Sequence, residues 1–275
     1  MGPVSGGRAE RRYSAESMGE ALIETGAHGR RGGEGPEPGF YDVIHRRRDV
    51  RAEFSGAPVD PVVLERVLDA AHSAPSVGLS QPWDFVLVTE DEPRRAFWSH
   101  VQSERRVFAD SLQGEEAERF AGIKIDGILE ASLSVVVTYD PGRGAPNVLG
   151  RHAIADAGVY SVCLAIENMW LACTAEGWGM GWVSFYRESF LRGLLGIPDG
   201  IRPVAWLCVG PVGGLQEVPD LERHGWRRRV PLGGVLHSEH WTSRGDDAVG
   251  RLSGSTPFGG AVPKAAAQEG SDGAG

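Results

Sequence analysis

Residues 160–184 have the sequence YSVCLAIENMWLACTAEGWGMGWVS, in which a long apolar segment leads into a glycine-rich turn and a short strand. Apolar side chains occur on nearly all sides of the helix predicted over 159–176. That pattern is typical of a helix buried inside a protein or in a subunit interface. Gly177 and Gly179 are expected to end this helix, and a strand is predicted over 181–186.

Other helices and strands are predicted on both sides of this segment. A first helix is expected over 40–48, and a second begins at Pro61, a residue suited to the first turn of a helix. Further strands are predicted over 85–88, 134–139 and 204–210. Because these strands are continuously apolar, they indicate a sheet covered on both faces, in an α/β (α+β) fold.

The chain has 275 residues, of which 41% are hydrophobic and 24% charged, as in ordinary globular proteins with a sizeable core. Residues 1–38 and 244–275 contain much Gly and little apolar periodicity, which predicts a flexible leader and a flexible tail. One folded domain is therefore expected over 39–243.

Charge and cysteine usage exclude several classes of function. A net charge of −9 argues against a nucleic-acid surface, although a small basic pocket for a phosphate-bearing molecule is compatible with it. Cys163, Cys173 and Cys208 lie in apolar stretches without metal-ligand spacing, which predicts buried reduced thiols, no metal site and a cytoplasmic location. We expect no membrane segment, because no run approaches the 18 consecutive apolar residues that a membrane helix needs.

The densest chemical signal is the sequence RRRDVR at 46–51. Several guanidinium groups in so short a span can fork around a phosphate through charge-assisted hydrogen bonds. The alternative is a solvated basic turn. Among arginines, Asp49 is expected to have a lowered pKa unless it is desolvated at a ligand, and a surface salt bridge is the simpler interpretation.

Two glycine-containing segments are weaker signals. The sequence AHSAPSVGLSQPW at 71–83 has small residues that would let a planar ligand approach the backbone, but a simple connector would also use them. The sequence EGWGMGWVS at 176–184 ends on Ser184 and lacks the GxGxxG spacing of a dinucleotide site. No metalloprotease, Walker or serine-hydrolase motif is present.

In the order RRDVR, AHSAPSVGLSQPW and YSVCLAIENMWLACTAEGWGMGWVS, the chain resembles the nitroreductase-like flavoproteins, and specifically their 5,6-dimethylbenzimidazole synthase branch. An Arg-Arg-Asp stands where nitroreductases usually carry Arg-Arg-Ser, and the sequence GWRRRVPL at 225–232 also resembles that branch. One departure is Ala153-Ile154-Ala155-Asp156, where family members often carry Thr-Met-Pro-Glu in a lid over the flavin.

The resemblance implies a mixed central sheet flanked by helices in an intertwined homodimer with FMN at the subunit interface. By position, Arg47, Arg48 and Arg51, with Val50 between them, would hold the phosphate and ribityl side of FMN. Ser76, Val77 and Gly78 would lie near the isoalloxazine ring, and Arg229 or its neighbour Arg228 would close on the phosphate. Asp49 would transfer protons, and Ser184 would orient the substrate through a hydrogen bond.

The resemblance also implies a reaction in which reduced FMN is a substrate and O2 a co-substrate. The products would be 5,6-dimethylbenzimidazole, the lower ligand of cobalamin, and erythrose 4-phosphate. NAD(P)H would act only through flavin reduction, which a separate flavin reductase could perform. Two alternatives stay open: an NAD(P)H-dependent FMN oxidoreductase that retains its flavin, and a non-catalytic flavin-binding protein.

Overall fold

The computed structural model describes residues 39–237 and Trp241. The predicted leader (1–38) and tail (244–275) lie outside the described residues, as do 238–240 and 242–243. The domain boundaries predicted from composition therefore stay predictions.

A four-stranded sheet forms the centre of the described chain. It contains β1 (Trp83–Val88), β2 (Leu133–Tyr139), β3 (Trp178–Val183) and β4 (Arg202–Pro211), in the order β1-β2-β4-β3. All neighbouring strands are antiparallel, with Val136 of β2 opposite Val86 and Trp206. The sheet was expected to be mixed; in the described residues its parallel contact is a single bridge between Asp49 and Met180.

Seven α-helices accompany the sheet in the described part of the chain. They are α1 (Phe40–Arg46), α2 (Pro61–His72), α3 (Asp91–Asp110), α4 (Gly114–Ala121), α5 (Ala157–Ala175), α6 (Glu188–Leu195) and α7 (Asp220–Arg223). Two short 3-10 turns are also present, at Val77–Leu79 and Leu232–Val235. The predicted start of α2 at Pro61 is confirmed, and the Asp60 carboxylate caps it by accepting the N–H of Val62 at 2.8 Å.

Helices cover both faces of the sheet, as the apolar strands predicted. One apolar core joins the sheet to α2 and α5 and contains Val162 and Met169. The other joins the opposite face to α3, α4 and α6 and includes Phe97, whose ring stacks on Trp206 at 3.8 Å between centroids. Every residue of β2 is buried, as expected for a strand between two helical layers.

Helix α5 is the central helix of the first core. Its length and mean hydropathy would allow it to cross a membrane, contrary to the expectation from sequence that no segment qualifies. Half of it is buried inside the protein, where it packs on α2 and β3, so these properties are those of a core helix. An exposed apolar face remains, including Tyr160 and Leu164, which are 57% and 47% exposed.

The strand after α5 begins and ends three residues earlier than predicted. Gly177, with φ +75°, follows the helix, but Gly179 lies inside β3 rather than at the helix end. Both strand glycines face a neighbouring segment at close range: a Cβ on Gly181 would lie 2.1 Å from the Val50 carbonyl oxygen. Gly181 therefore marks a close approach of two backbones, whereas Gly179 makes room for the side chains of Val50 and Val212.

The cysteine prediction is correct for two of three residues. Cys173 and Cys208 are buried free thiols, and burial raises the pKa of each to about 12. Cys163 is exposed on α5, next to the exposed Tyr160 and Leu164 of the same helix. The described residues contain no cluster of His, Cys, Asp and Glu that could hold a metal ion.

Candidate active site

The arginine segment 47–51 lies outside the first helix, which ends at Arg46 instead of 48. Trp170 and Glu167 of helix α5 contact this segment. The Arg47 guanidinium lies 4.7 Å from the centre of the Trp170 ring, and its Nε lies 3.6 Å from Glu167 Oε1. The Trp170 indole N–H donates to the Arg48 carbonyl at 3.0 Å. One tryptophan thus fixes two successive arginines, through its ring face and through its N–H.

Asp49 is held against strand β3 by backbone and side-chain contacts. The Val50 N–H donates to the Met180 carbonyl at 3.0 Å, and the Trp182 N–H donates to Asp49 Oδ1 at 3.1 Å. The other carboxylate oxygen, Oδ2, accepts a hydrogen bond from Arg51. Both oxygens are therefore oriented before any ligand binds.

The pKa of Asp49 is raised, whereas the neighbouring arginines alone would lower it. Desolvation by burial raises the pKa of the carboxyl, and the opposing effects of Arg51 and the Trp182 N–H do not cancel it. The side chain still has 34% of its surface exposed, so its carboxylate can reach a ligand from that side. The lowered pKa expected from the sequence was conditional on the carboxylate not being desolvated, and packing against β3 supplies that desolvation without a ligand.

Arg48 and Arg51 present donors without partners. Arg48 donates from Nη1 to the carbonyls of His45 and Arg47, at 2.8 and 2.7 Å, and from Nη2 to the Glu217 carbonyl. Its Nε and that of Arg51 are buried with no hydrogen-bond partner in the described residues. A buried guanidinium N–H without an acceptor is costly, and an anionic ligand would remove that cost.

Arg229 is distant from this cluster in the sequence, but its charge affects the pKa of Arg48. Burial lowers the pKa of Arg48, and the charges of Arg229 and Arg47 lower it further. Arg229 is therefore close enough to repel Arg48 in the absence of an anion. Arg229 and Arg228 are both exposed.

A cavity of about 100 Å³ lies beside the arginine segment. Its lining includes the basic Arg48, Arg51 and Lys124 and also the acidic Asp49, Glu53 and Asp220. Its volume is well below the roughly 300–1,000 Å³ of sites that enclose a drug-sized ligand. It can hold a phosphate-sized group, but not a flavin ring.

The second predicted ligand segment, 76–78, is attached to the other end of α5. The Val77 N–H donates to Ser161 Oγ at 3.0 Å, and Ser76 Oγ accepts the Gln81 N–H at 2.9 Å. Gly78 has φ +56°, and a Cβ there would lie 2.8 Å from the Leu149 backbone nitrogen. The tight loop therefore needs glycine at this position.

One protomer does not bring these two segments to the same part of the helix. The loop is bonded to Ser161 and the arginine segment to Trp170, nine residues further along α5. At 1.5 Å per residue the two attachment points are about 13.5 Å apart along the helix axis. The resemblance assigns the two segments to different parts of an FMN at a subunit interface, so this separation within one chain does not test the assignment of Ser76, Val77 and Gly78.

Ser184 lies one residue beyond the end of β3 and two residues after Trp182, whose N–H binds Asp49. Its side chain is exposed, and its carbonyl accepts the Tyr186 N–H at 3.0 Å. The structure therefore places Ser184 next to the Asp49 region without a direct hydrogen bond between the two side chains in the described residues. The predicted orienting role is not tested by this geometry.

Sequence reasoning missed Trp170, Glu167 and Glu53, which contact the arginine segment, and Gln216, which is linked to it through Glu53. Glu167 carried a usable signal, because it is an acidic residue in the middle of an apolar helix, and Trp170 follows it by three residues, on the same helix face. Gln216 had no such signal, since it lies in a glycine-rich connection far along the chain.

Comparison with known proteins identifies this architecture. The model of the Nitroreductase family matches residues 44–211. The chain belongs to the nitroreductase family. Within that family, it is 37% identical to a 5,6-dimethylbenzimidazole synthase of Rhodospirillum rubrum over 71% of this chain and 94% of the relative. A synthase of Rhodobacter capsulatus is 33% identical over 69% of this chain and 91% of the relative.

A solved structure of another protein has a similar fold. Iodotyrosine deiodinase, crystallised in its oxidised form with FMN and 3-iodo-L-tyrosine, superposes with a TM-score of 0.56 and 21% identity. The match covers 70% of this chain and 97% of the deiodinase chain. The predicted fold class and the predicted family are therefore confirmed.

Proposed function

We propose that this nitroreductase-family protein is a 5,6-dimethylbenzimidazole synthase. Reduced FMN is its substrate and O2 its co-substrate, and the products include 5,6-dimethylbenzimidazole and erythrose 4-phosphate. The observation that carries the proposal is Asp49, a carboxyl of raised pKa oriented beside buried arginine donors. The similarity to the two named synthases supports the same activity, which would supply the lower ligand of cobalamin.

The arginine segment fits the phosphate and ribityl side of FMN. The partnerless Nε groups of Arg48 and Arg51 supply donors, and Arg47 and Arg229 supply further positive charge nearby. Guanidinium groups bind phosphate oxygens by bidentate, charge-assisted hydrogen bonds. Val50 contributes by its backbone, which is fixed to Met180 and holds the residues on either side in place.

Asp49 is the residue we assign to proton transfer. Its raised pKa brings it nearer to the working pH, where a carboxyl can both accept and release a proton during fragmentation of the flavin. The Arg51 and Trp182 contacts keep its oxygens in a fixed direction during that exchange. Ser184, exposed nearby, is assigned as a hydrogen-bond donor that orients the substrate.

A homodimer would complete the site. The exposed apolar face of α5, with Tyr160 and Leu164, and the exposed Phe40 and Tyr41 of α1 provide a surface for a second copy. In such a dimer the 76–78 segment of one copy would meet the arginine segment of the other. This arrangement would also exclude water from the flavin ring, which the oxygen chemistry requires.

The supply of reduced FMN and the location of the protein are part of the same proposal. NAD(P)H would act through flavin reduction, by a separate flavin reductase, in the cytoplasm. The buried free thiols Cys173 and Cys208 suit that reducing compartment.

The proposal is tested by aerobic incubation of the purified protein with FMN and a flavin-reducing system, followed by mass-resolved chromatography. Protein-dependent appearance of 5,6-dimethylbenzimidazole is the expected result. Steady NAD(P)H oxidation with intact FMN and no benzimidazole would instead identify an FMN oxidoreductase. Flavin binding without either reaction would identify a non-catalytic flavin-binding protein.

A further inference from the structure

Glu53 joins the arginine segment to a distant part of the chain. Its Oε2 accepts the N–H of Ala52 at 3.1 Å and that of Arg51 at 3.3 Å. Its Oε1 accepts the side-chain amide of Gln216 at 3.0 Å, and its backbone carbonyl accepts the Gly213 N–H at 3.1 Å. One residue therefore ties 213–216 to the arginine segment through both its side chain and its backbone.

The segment bound by Glu53 continues directly into a residue that contacts one of the phosphate-binding arginines. Glu217, next to Gln216, accepts the Arg48 guanidinium through its carbonyl. The chain then continues through α7 to Arg229, whose charge reaches Arg48. Arg51, whose N–H is held by Glu53, in turn binds Asp49. The Glu53–Gln216 pair is thus linked to Asp49 through Arg51 and to Arg48 through Glu217.

The carboxyl of Glu53 is suited to stay ionised in this position. Burial alone would raise its pKa, but hydrogen bonds from the Gln216 amide and from backbone N–H groups outweigh that effect. The pKa of Glu53 consequently lies below its ordinary value. The Oε2 oxygen accepts two backbone N–H groups while Oε1 accepts the Gln216 amide, so the side chain serves three donors at once.

We propose that Glu53 and Gln216 are positioning residues that set the phosphate-binding arrangement of Arg48 and Arg229 relative to Asp49. This inference rests on the proposed function for the identity of the ligand, but it concerns recognition of the flavin phosphate, not the reaction. It predicts that damage to the pair weakens binding of FMN more than binding of riboflavin, which lacks the phosphate.

The test uses the full chain, with FMN and riboflavin as probes and quenching of flavin fluorescence as the readout. Gln216→Glu places two carboxylates face to face and should reduce the preference for FMN over riboflavin by about tenfold, equivalent to roughly 1.4 kcal/mol. The double variant Glu53→Gln with Gln216→Glu restores an amide–carboxylate pair and should recover most of that preference. Failure of the double variant to recover it would overturn the proposal.

A matched control is available elsewhere in the fold. The Arg202 guanidinium donates to Glu188 Oε1 at 3.0 and 2.8 Å, between β4 and α6. Arg202→Glu creates a repulsion there and should lower the free energy of unfolding while leaving the FMN-to-riboflavin preference unchanged. If Gln216→Glu does not fold, Gln216→Leu removes the donor without adding charge, and an unchanged preference in that variant contradicts the proposal.

The outcomes separate this inference from the proposed function. Equal binding of FMN and riboflavin by the wild type would contradict phosphate recognition by the arginines. A clear FMN preference that depends on the Glu53–Gln216 pair, without formation of benzimidazole, would support the positioning role and contradict the synthase activity.

Discussion

The backbone N–H of Trp182 donates to the carboxylate of Asp49 at 3.1 Å, across 133 residues of sequence. This contact forms because β3 has glycine on both sides of Met180, so the chain at Asp49 and Val50 can lie directly on the strand. It orients Asp49 and, with the packing against β3, partly desolvates its carboxylate. The unusual pKa of the carboxyl is therefore a consequence of the fold and not of the neighbouring sequence.

Gly181→Ala should abolish this arrangement. A Cβ at that position would lie 2.1 Å from the Val50 carbonyl oxygen, so either the strand or the arginine segment must shift. We expect loss of most product formation and weaker FMN binding, measured by chromatography and fluorescence titration. The matched control is Gly193→Ala in α6, where no atom lies within 4 Å of the added methyl group. That change should stabilise the protein by about 1 kcal/mol without affecting activity.

Trp170 gives a graded test of how α5 supports the arginines. Trp170→Phe keeps an aromatic face for Arg47 but leaves the Arg48 carbonyl without its donor, at a cost of about 1–3 kcal/mol. Trp170→Leu also removes the ring face. FMN affinity measured by titration should fall in the order wild type, Phe, Leu. Equal affinity in all three proteins would show that Trp170 does not position the arginines.

The oligomeric proposal is tested on the exposed face of α5. Leu164→Glu should convert a dimer to a monomer and greatly weaken FMN binding, because the 76–78 segment of the second copy would be lost. Light scattering and titration measure the two effects. Val107 on α3, which is 61% exposed, provides the control: Val107→Glu should change neither. A wild-type monomer that binds FMN would rule out the shared site.

The pH dependence of stability follows from the raised pKa of Asp49. A carboxyl whose pKa is higher in the folded than in the unfolded state favours folding in its protonated form. Its contribution to stability therefore decreases as the pH rises through the window between the two pKa values. Asp49→Asn removes that penalty, so its advantage over the wild type in free energy of unfolding should be larger at pH 7 than in acid. Urea unfolding of both proteins at several pH values measures the difference.

Sequence reasoning was most successful where local patterns decide the structure. The apolar helix at 159–176, the proline at the start of α2 and the continuously apolar β2 were all recognised from periodicity. Helix α3 was missed because only Arg94, Phe97 and Val101 of its 20 residues are buried. Two buried apolar residues are too few to produce a recognisable helical periodicity. The surface of this helix is otherwise polar and charged.

The site was predicted less completely, since its chemistry depends on contacts between distant residues. The proton-transfer role of Asp49 came from the resemblance. Its raised pKa depends on burial against β3. The support by Glu53 and Gln216 spans 163 residues and has no local pattern. Such contacts are created by tertiary packing, so a single sequence does not reveal them.

The central claim is tested most directly by comparing wild type, Asp49→Asn and Arg47→Ala for 5,6-dimethylbenzimidazole formation from saturating reduced FMN under air. The account predicts that Asp49→Asn binds flavin normally but loses most of its product, by a factor of about 100 or more, as expected for loss of a proton-transfer group. Arg47→Ala should need more FMN but keep much of its yield at saturation. A full product yield from Asp49→Asn would contradict the role assigned to Asp49.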